Sequence, residues 1–466
     1  MSPACKTISA ISTPPGKGGV AVIRISGEDS RAICRRIFCP AGKVYPIDAP
    51  RKQIYGNIMH DSEPIDDGLA CFFPAPNSYT GEDTVEISCH GGILITHLVL
   101  EASFAAGASP AEPGEFTRRA FVNGRLTLSE ADAIGLLLDA KSEAQLKLAR
   151  SEARQKLNQK IQLMRDKITS LLGSIYARID YPDEDLGEFT NEDCLQELYE
   201  LRALLSALIS TYKTGRAVRD GIRTAIVGKP NSGKSSFYNL LAGEDLAIVT
   251  DIPGTTRDVL ERSVSLGSVM LNLADTAGIR QLSSDPIEAI GIRRSIERLE
   301  DSELIFALFD GSIPLSEEDM DLIQRLKSTS AAKVAILTKA DLCTEQIIKN
   351  NEVTLSELMG KTVSISALND GEEAIHTITE IVDSLFTDEK IKLGTDAVIA
   401  SASQHASLLR AMEHIEAAIG AFESGLPQDV SSSDVELALE AISEVDGRAA
   451  SQAVVADIFS KFCVGK

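Results

Sequence analysis

The sequence contains no tryptophan among its 466 residues, and only 5% of its residues are aromatic. This scarcity argues against a binding surface built from stacked aromatic rings. No apolar run approaches the roughly 20 residues that a membrane-spanning helix requires. The N-terminus also lacks a basic segment followed by an apolar one, which is the pattern of a secretory signal peptide. We therefore expect a cytoplasmic protein that makes no use of a membrane.

Metal-binding cysteine patterns are missing as well. The eight cysteines form no CxxC pair, and no histidine follows them at zinc-finger spacing. Scattered cysteines in a chain of this size are typical of a reducing cytoplasm. The net charge of −22 disfavours a protein that coats nucleic acid, because phosphate binding needs a local excess of cations.

The pattern of apolar and turn residues changes several times along the chain. Residues 1–120 alternate short β-rich runs with helical stretches, which predicts a mixed α/β domain. Thr127 and Glu130 have capping-box spacing, and a long helical stretch follows them. Apolar residues there recur at steps of three and four, which predicts one buried seam on a helix. The seam consists of Leu157, Ile161, Met164, Ile168, Leu171 and Ile175. Tyr181-Pro182 ends this helix, and a second helix carries Leu195, Leu198, Leu201, Leu205 and Leu208 on one face.

From Arg223 onward, short apolar runs alternate with turns and helices. This pattern predicts a largely parallel sheet with helices on both faces. After about residue 386 the chain becomes helical again. The simplest architecture is one helical domain, completed by both flanks, with an α/β domain inserted between them. The predicted domains are 1–120, 121–216 (first helical part), 217–385 (inserted domain) and 386–466 (second helical part).

The most specific motif is Gly228-Lys229-Pro230-Asn231-Ser232-Gly233-Lys234-Ser235, which fits GxxxxGK[ST] between a predicted strand and a predicted helix. Glycines let backbone N–H groups approach phosphates, and the helix N-terminus attracts anions. Lys234 is expected at the β- and γ-phosphates, and the hydroxyl of Ser235 is expected to bind Mg²⁺. The expected nucleotide contacts of this loop are Asn231, Ser232, Gly233, Lys234, Ser235 and Ser236.

Three further signals follow in the order that a GTPase requires. They are Asp275-Thr276-Ala277-Gly278, Thr338-Lys339-Ala340-Asp341 and Ser366-Ala367-Leu368. Asp275 can reach Mg²⁺ through water, and the N–H of Gly278 can sense the γ-phosphate. Asp341 can accept two N–H bonds from the edge of guanine, which adenine cannot donate, so it selects GTP over ATP. The third motif usually begins with asparagine, and here Thr338 stands in its place.

A loop between the first two motifs resembles the switch I loop of GTPases. Its expected nucleotide contacts are Thr250, Asp251, Ile252, Pro253, Gly254, Thr255 and Thr256. Thr256 is the expected second protein ligand of Mg²⁺. The residue after Gly278 is Ile279 rather than the glutamine that orients water in Ras-type enzymes, so hydrolysis needs another device.

The flanking segments carry motifs of their own. They are TPPGKGGVAVIRISG at 13–27, PNSYTGED at 76–83, HGG at 90–92, PGEFTRRAF at 113–121 and FCVGK at 462–466. Together with the GTPase motifs, they resemble the MnmE/TrmE family of tRNA-modification GTPases over essentially the whole chain. The resemblance implies an α/β folate domain, a helical domain and an inserted Ras-like G domain.

The resemblance also implies roles for particular residues of the G domain and the tail. A K⁺ ion in place of an arginine finger would be held by Asn231, Thr250, Ile252 and Thr255. Glu288 matches the catalytic glutamate by its context, Glu288-Ala289-Ile290-Gly291. Cys463 is either a reactive catalytic thiol or an inert apolar residue, and the sequence favours neither.

The N-terminal domain of the family implies a folate site and a partner enzyme. Arg24, Glu86, Arg125 and Lys466 match positions that bind 5-formyl- or methylene-tetrahydrofolate. The expected assembly is a homodimer that joins a flavoprotein of the MnmG/GidA type in a heterotetramer and modifies C5 of the wobble uridine of certain tRNAs. The rival hypothesis is a ribosome-assembly GTPase switch without carbon chemistry. The acidic charge and the lack of a lipidation motif disfavour a membrane-recruited GTPase.

Overall fold

The computed structural model describes residues 6–180, 190–243, 262–273, 301–342, 344–366, 371–426 and 428–445, together with residues 459, 462, 464 and 465. The chain divides into two compact units. One unit is Met1–Leu138 with Glu440–Lys466, and the other is Asp139–Leu439. The finer domain boundaries expected from the sequence stay a prediction.

The described part of the first unit is built on a seven-stranded sheet. Its strands are β1 Ile8–Ile11, β2 Val20–Ser26, β3 Phe38–Pro40, β4 Ile54–His60, β5 Glu63–Phe73, β6 Thr84–His90 and β7 Ser109–Pro110. Their order is β3-β4-β5-β6-β2-β1-β7, and every pair is antiparallel except β1 with β7. Its helices are α1 Ser30–Ile37, α2 Ile93–Ala105 and α3 Glu115–Val122. The mixed α/β fold expected for this part of the chain is confirmed.

Strand alternation in β2 and β6 separates a core face from a polar face. Ile23 and Ile25 are fully buried, as is Ile87 on β6, and they pack in one cluster with Val99 of α2. Because successive side chains of a strand point to opposite faces, Arg24 lies on the other side of the sheet. The same alternation places Glu86 there, directly opposite Arg24 across the strand pair.

Residues near the C-terminus belong to this first unit. Val464 forms an isolated antiparallel bridge with Pro113. Phe459 and Phe462 pack with Leu128 and Ala131 in a small apolar cluster. Phe459, Phe462 and Val464 therefore contact the N-terminal part of this unit.

The helical region that precedes the second sheet is interrupted. It contains α4 Leu128–Asp139, α5 Glu143–Ala149, α6 Ser151–Asp180, α7 Asn191–Ile209 and α8 Tyr212–Asp220. Thr127 and Glu130 do form the expected capping box, with the N–H of Thr127 donating to Glu130 at 2.8 Å and the N–H of Glu130 donating to Thr127 at 3.2 Å. The helical stretch that follows is divided into three helices, because Ser142 starts a new helix by accepting from the N–H of Gln145 and Arg150 is extended (ψ 145°).

The predicted seam of α6 is confirmed, since all six of its apolar residues are buried. The face of α7 is corrected at one position. Cys194 is buried and Leu195 is half-exposed, so the buried face begins at Cys194 and continues through Leu198. Steps of four and three from Cys194 keep the buried stripe straight along the helix.

Among the described residues, the second sheet has six strands. They are β8 Ile222–Gly228, β9 Arg262–Leu266, β10 Val269–Leu273, β11 Leu304–Asp310, β12 Ala332–Thr338 and β13 Lys361–Ser364. Their order is β13-β12-β11-β8-β10-β9, and only β10 and β9 pair antiparallel. The helices are α9 Lys234–Ala242, α10 Glu317–Lys327, α11 Glu345–Met359 and α12 Gly371–Phe386. The largely parallel sheet expected from the sequence is confirmed.

Helices after the second sheet complete the helical region. They are α13 Ala402–Glu423 and α14 Gln428–Val445. The phenol of Tyr199 on α7 donates to Glu423 of α13, and Tyr176 of α6 donates to Glu436 of α14. The two flanks therefore form one helical domain, with the α/β domain inserted between them. Within the described segments, no helix combines the length and the apolar character needed to cross a membrane.

Candidate functional site

The carboxyl ends of four parallel strands meet at one edge of the second sheet. β8, β11, β12 and β13 run side by side in the same direction. The loop Gly228–Ser235 leaves β8 at this edge, and Thr338 and Ser366 lie at or just after the ends of β12 and β13. Three of the motifs read from the sequence thus converge at one place, which is where ligands bind in open α/β sheets.

The backbone of the loop requires its glycines. Gly228 has φ 155°, and a Cβ on it would lie 2.5 Å from the carbonyl oxygen of Leu308. Gly233 has φ 83° and precedes the first residue of α9. Asn231 adopts φ 62°, a left-handed conformation that asparagine tolerates better than most residues. The backbone therefore curls tightly in front of the N-terminus of α9, a geometry suited to phosphate.

Lys234 is the charged residue of this loop. Its ammonium donates to the carbonyl oxygens of Gly228, at 2.7 Å, and of Lys229. Burial lowers the pKa of Lys234 below its usual range. Ser235 and Ser236 are exposed in the first turn of α9 and Asn231 is exposed on the loop, whereas Ser232 is buried. A cation and two exposed hydroxyls thus stand at a helix N-terminus.

Thr338 connects the base-recognition motif to the phosphate loop. It is buried, and its Oγ1 lies 3.0 Å from the carbonyl oxygen of Ser232 and 3.1 Å from that of Phe309. Since a hydroxyl has a single hydrogen, Thr338 donates to one of these acceptors at a time. Its methyl group also packs on Gly233, where a Cβ would lie 3.1 Å away. The residue that replaces the usual asparagine therefore contacts the loop directly.

A backbone hydrogen bond joins the segment Thr338–Asp341 to the residues that follow β13. The N–H of Ala340 donates to the carbonyl oxygen of Ile365 at 3.3 Å, next to the buried Ser366. Asp341 is exposed in a short 3-10 turn, Ala340–Leu342. A carboxylate so placed is accessible to a ligand at this edge of the sheet.

Asp310 is a residue of this site that the sequence analysis missed. It ends β11, and its carboxylate pairs with the ammonium of Lys339 and accepts from the N–H of Ser312 at 3.0 Å. Burial alone would raise the pKa of Asp310, but the hydrogen bonds from Lys339 and Ser312 lower it overall. The only sequence signal was an acidic residue directly after a buried strand.

Many of the predicted site residues lie outside the described part of the chain. In the G domain they are Thr250, Asp251, Ile252, Pro253, Gly254, Thr255, Thr256, Asp275, Thr276, Ala277, Gly278, Glu288 and Ala367, and near the C-terminus they are Cys463 and Lys466. Their roles stay predictions.

In the first unit, Arg24 and Glu86 form an ion pair on the polar face of the sheet. The Nε and Nη2 atoms of Arg24 lie 2.9 Å and 2.8 Å from Oε1 of Glu86. The side chains are 17% and 29% exposed, so a ligand can reach both. The guanidinium carbon of Arg24 also lies 5.1 Å from the centre of the Tyr79 ring and 5.6 Å from that of Phe116. A guanidinium, a carboxylate and two aromatic rings thus lie close together.

Arg125, another predicted folate position, and Gly465, which precedes the predicted position Lys466, belong to the same unit as this pair. Arg125 is exposed, and its Cγ approaches Gly81, two residues after Tyr79. The carbonyl oxygen of Gly465 accepts from the hydroxyl of Ser12 at 3.0 Å, just beyond β1. β1 pairs with β2, which carries Arg24, so the residue preceding Lys466 lies along the neighbouring strand.

A buried network braces the loop that carries Tyr79. The guanidinium of Arg119 pairs with Glu82 at 3.1 Å and with Glu115 at 2.7 Å, and it donates to the carbonyl oxygen of Lys6 at 2.9 Å. Ser26 in turn donates to Glu82 at 2.8 Å. This network was not foreseen, because its members come from four separate segments of the chain.

His90 is the last residue of β6, the strand that pairs with β2 and carries Glu86. Its Nδ1 is 2.8 Å from Oδ1 of Asp66, and its N–H donates to Oδ2 of Asp66 at 2.9 Å. The carboxylate of Asp67, nearby, accepts from the phenol of Tyr55 at 2.9 Å. These contacts give His90 a structural role at the end of β6, in agreement with the turn that follows it.

The fold and the loop geometry define a P-loop nucleotide-binding protein in which the nucleotide domain is inserted into a helical domain. Comparison with known proteins agrees. A family model described as "GTP-binding protein TrmE N-terminus" matches residues 7–125, and one described as "MnmE helical domain" matches residues 128–463.

Curated relatives match the chain over nearly its full length. The tRNA modification GTPase MnmE of Thermotoga maritima is 37% identical over 99% of this chain and 100% of its own. The proteins of the same name from Clostridioides difficile and Streptococcus thermophilus are 36% and 38% identical, over 99% of this chain and 99% and 98% of their own. The chain belongs to the MnmE family of tRNA modification GTPases and is an enzyme of the GTPase class.

Proposed function

We propose that the chain hydrolyses GTP at the loop Gly228–Ser235, and that this hydrolysis serves the modification of the wobble uridine of certain tRNAs. The observation that carries the proposal is the convergence of this loop with Thr338–Asp341 and Ser366 at one sheet edge. A GTPase needs a phosphate-binding loop and a guanine-selecting carboxylate, and the loop Gly228–Ser235 and Asp341 would supply them.

The phosphates would be held by the loop amides and by Lys234. Its ammonium already contacts two carbonyl oxygens of the loop, so a small side-chain movement brings it to a phosphate. The exposed hydroxyl of Ser235 is a hard oxygen of the kind that Mg²⁺ prefers. Thr256 is the second proposed ligand, and Asp275 would act through water. When bound, Mg²⁺ neutralises the charge that develops on the phosphate oxygens.

Selection of guanine would depend on Asp341. An ionised carboxylate accepts two N–H bonds from guanine, and adenine leaves it unpaired. Thr338 would support the segment Thr338–Asp341 through the contact between its hydroxyl and the carbonyl oxygen of Ser232. Ser366 and Ala367 would back the base, because the N–H of Ala340 ties their strand end to the Asp341 turn.

Hydrolysis would use a monovalent cation, since Ile279 cannot orient water. Asn231 is exposed on the loop and offers an amide oxygen, which suits K⁺. Thr250, Ile252 and Thr255 are the other proposed ligands. When bound, K⁺ supplies positive charge beside the phosphates in the transition state. Glu288 is the proposed catalytic carboxylate.

The first unit would bind a reduced folate. Glu86 can accept paired N–H bonds from the aminopyrimidine edge of a pterin, and Arg24 can pair with a carboxylate of the glutamate tail. The contact of Gly465 with Ser12 supports the participation of Lys466, while Arg125 offers a further cation. When bound, the folate supplies a one-carbon unit. Cys463 is kept as a candidate for that chemistry.

The proposed working form is a homodimer in the cytoplasm that joins a flavoprotein partner in a heterotetramer and acts on tRNA. Several large apolar side chains of the first unit are strongly exposed, among them Val20 by 62%, Ile93 by 61% and Leu94 by 72%. Val20 pairs with His90, and Ile93 follows His90 by three residues. Exposed apolar groups that lie close together mark interaction sites, which supports contact between two such units.

Reconstitution tests the whole proposal. The purified chain, a flavoprotein of the MnmG type with its reductant, GTP, a reduced folate and unmodified tRNA are incubated in K⁺ buffer with glycine or with ammonium as the nitrogen donor. The tRNA nucleosides are then analysed by mass spectrometry. We expect an aminomethyl-type group at C5 of the wobble uridine, and no product with Lys234→Ala. GTP hydrolysis without any modified uridine would instead favour a GTPase switch without carbon chemistry.

A further inference from the structure

The side chain of Lys229 leaves the phosphate loop and reaches the start of helix α10. Its ammonium lies 2.8 Å from Oδ2 of Asp319 and also donates to the hydroxyl of Ser316. Ser316 and Asp319 form the capping box at the N-terminus of α10. Lys229 is 87 residues from Ser316 and 90 residues from Asp319 in the sequence, so the contact is purely tertiary.

Lys229 is also a node of the loop backbone. Its carbonyl oxygen accepts from the N–H of Ser232 at 3.2 Å and from the ammonium of Lys234. A shift of Lys229 therefore displaces both the turn of the loop and the lysine that faces the phosphates. The side chain of Lys229, in contrast to its carbonyl group, is anchored outside the loop, at Asp319 and Ser316.

The anchor is held in a largely buried environment. The side chain of Asp319 is only 6% exposed and that of Lys229 is 22% exposed. Oδ2 of Asp319 also accepts from the N–H and the hydroxyl of Ser316, at 2.9 Å and 2.8 Å, whereas its Oδ1 has no hydrogen-bond partner among the described residues. Loss of the cation leaves a buried carboxylate supported by the helix N-terminus alone, which is a costly arrangement.

We propose that Lys229 is a positioning residue for nucleotide binding, which holds the phosphate loop in place through Asp319 and Ser316 of α10. Its side chain acts away from the nucleotide, by fixing the carbonyl oxygen around which Lys234 and the loop amides are arranged. The inference rests on the proposed GTP-binding function of the same loop. It assigns a role to α10, which none of the sequence motifs includes.

The test compares nucleotide binding by full-length variants. Lys229→Met keeps the length of the side chain and removes its charge, and we expect GDP to dissociate about tenfold faster and the KM for GTP to rise in proportion, with kcat changed less than threefold. Lys229→Arg should restore both values, because a guanidinium can also reach Asp319. Lys333→Met is the matched control, since the ammonium of Lys333 donates to the carbonyl oxygen of Thr329 instead.

A double-mutant cycle separates this role from a general loss of stability. Asp319→Asn keeps an acceptor for the cap and removes the charge, so Lys229→Met added to it should cause little further change. Additive effects, or a GDP dissociation rate for Lys229→Met within twofold of the wild type, would overturn the inference. Should Lys229→Met not fold, equal GDP dissociation rates for Lys229→Gln and Lys229→Arg would overturn it, and a rate at least threefold faster for Lys229→Gln would support it. Wild-type protein that binds no GDP would refute the proposed function itself.

Discussion

The hydroxyl oxygen of Thr338 lies 3.0 Å from the carbonyl oxygen of Ser232, so the third recognition motif and the phosphate loop share a buried contact. The usual asparagine has a longer side chain with two donors, whereas threonine has one hydrogen and a methyl group. The methyl group is used as well, because it packs against Gly233. Threonine thus joins the two motifs by one hydrogen bond and one apolar contact.

Thr338→Val should therefore weaken nucleotide binding without disturbing the fold. Valine keeps the shape but leaves the carbonyl oxygens of Ser232 and Phe309 without this donor, at a cost of about 1 kcal/mol, or roughly fivefold in GDP affinity. Calorimetry of GDP binding measures the change. Thr329→Val is the control, since Thr329 donates to the carbonyl oxygen of Leu326. Unchanged affinity in Thr338→Val would show that the contact does not support the site.

The ion pair of the first unit predicts the behaviour of the folate site. Arg24→Met and Glu86→Gln should each reduce the affinity for 5-formyltetrahydrofolate by about tenfold or more, because charge-assisted contacts are the strong ones. Fluorescence titration measures the affinity. Arg31→Met is the control, because Arg31 pairs with Asp83 in the same unit at 2.6 Å. Wild-type affinity in both Arg24→Met and Glu86→Gln would remove these residues from the site.

The cation requirement gives a third prediction. GTP turnover should be at least about tenfold faster in K⁺ than in Na⁺, which corresponds to about 1.4 kcal/mol of barrier. Asn231→Ala should remove that difference, whereas Asn350→Ala, on the exposed face of α11, should keep it. Turnover is followed by phosphate release in matched chloride salts. Equal wild-type rates in the two salts would exclude a role for K⁺.

Glu303 predicts how stability depends on pH. It precedes β11 and pairs with Arg216 of α8 and, at 3.5 Å, with Arg223. Burial alone would raise the pKa of Glu303, but the hydrogen bonds from Arg216 and from the N–H of Arg223 lower it overall. Because the folded-state pKa is lowered, the stabilisation is complete above the unfolded-state pKa and is lost as the pH falls through the folded-state pKa.

Glu303→Gln should accordingly cost about 2 kcal/mol of unfolding free energy at neutral pH, the typical contribution of a hydrogen bond to a charged group. The difference from the wild type should begin to shrink as the pH falls below about 4.3, the ordinary pKa of an unfolded-state glutamate, and should vanish once the folded-state carboxylate is neutral as well. Urea unfolding followed by circular dichroism at several pH values measures it, with the exposed Asp301→Asn as control. A difference that stays constant down to pH 3 would contradict the assignment.

Local patterns in the sequence predicted the elements that depend on local chemistry. The buried run Leu304–Phe309 is a central strand because every residue in it is apolar, and the glycines and the lysine of 228–235 predicted the loop between β8 and α9. The capping box at Thr127 was also predictable, since its partners are three residues apart.

Contacts between distant segments could not be predicted in this way. The pairing of Lys229 with Asp319, or of Lys339 with Asp310, depends on which strands become neighbours in the sheet. The break before α5 was missed because the cap at Ser142 competes with helical residues on both sides. Similarly, periodicity alone did not distinguish Cys194 from Leu195 at the start of α7, since both lie on the apolar side.

The most direct test of the account is a calorimetric titration of the full-length protein with GDP, repeated with Lys234→Ala. We expect wild-type protein to bind one GDP per chain in the presence of Mg²⁺, ATP to give no heat of binding, and the variant to lose affinity by at least about a hundredfold. Absence of any guanine-nucleotide binding by the wild type, or unchanged binding by Lys234→Ala, would contradict the assignment of the loop Gly228–Ser235 as the phosphate site.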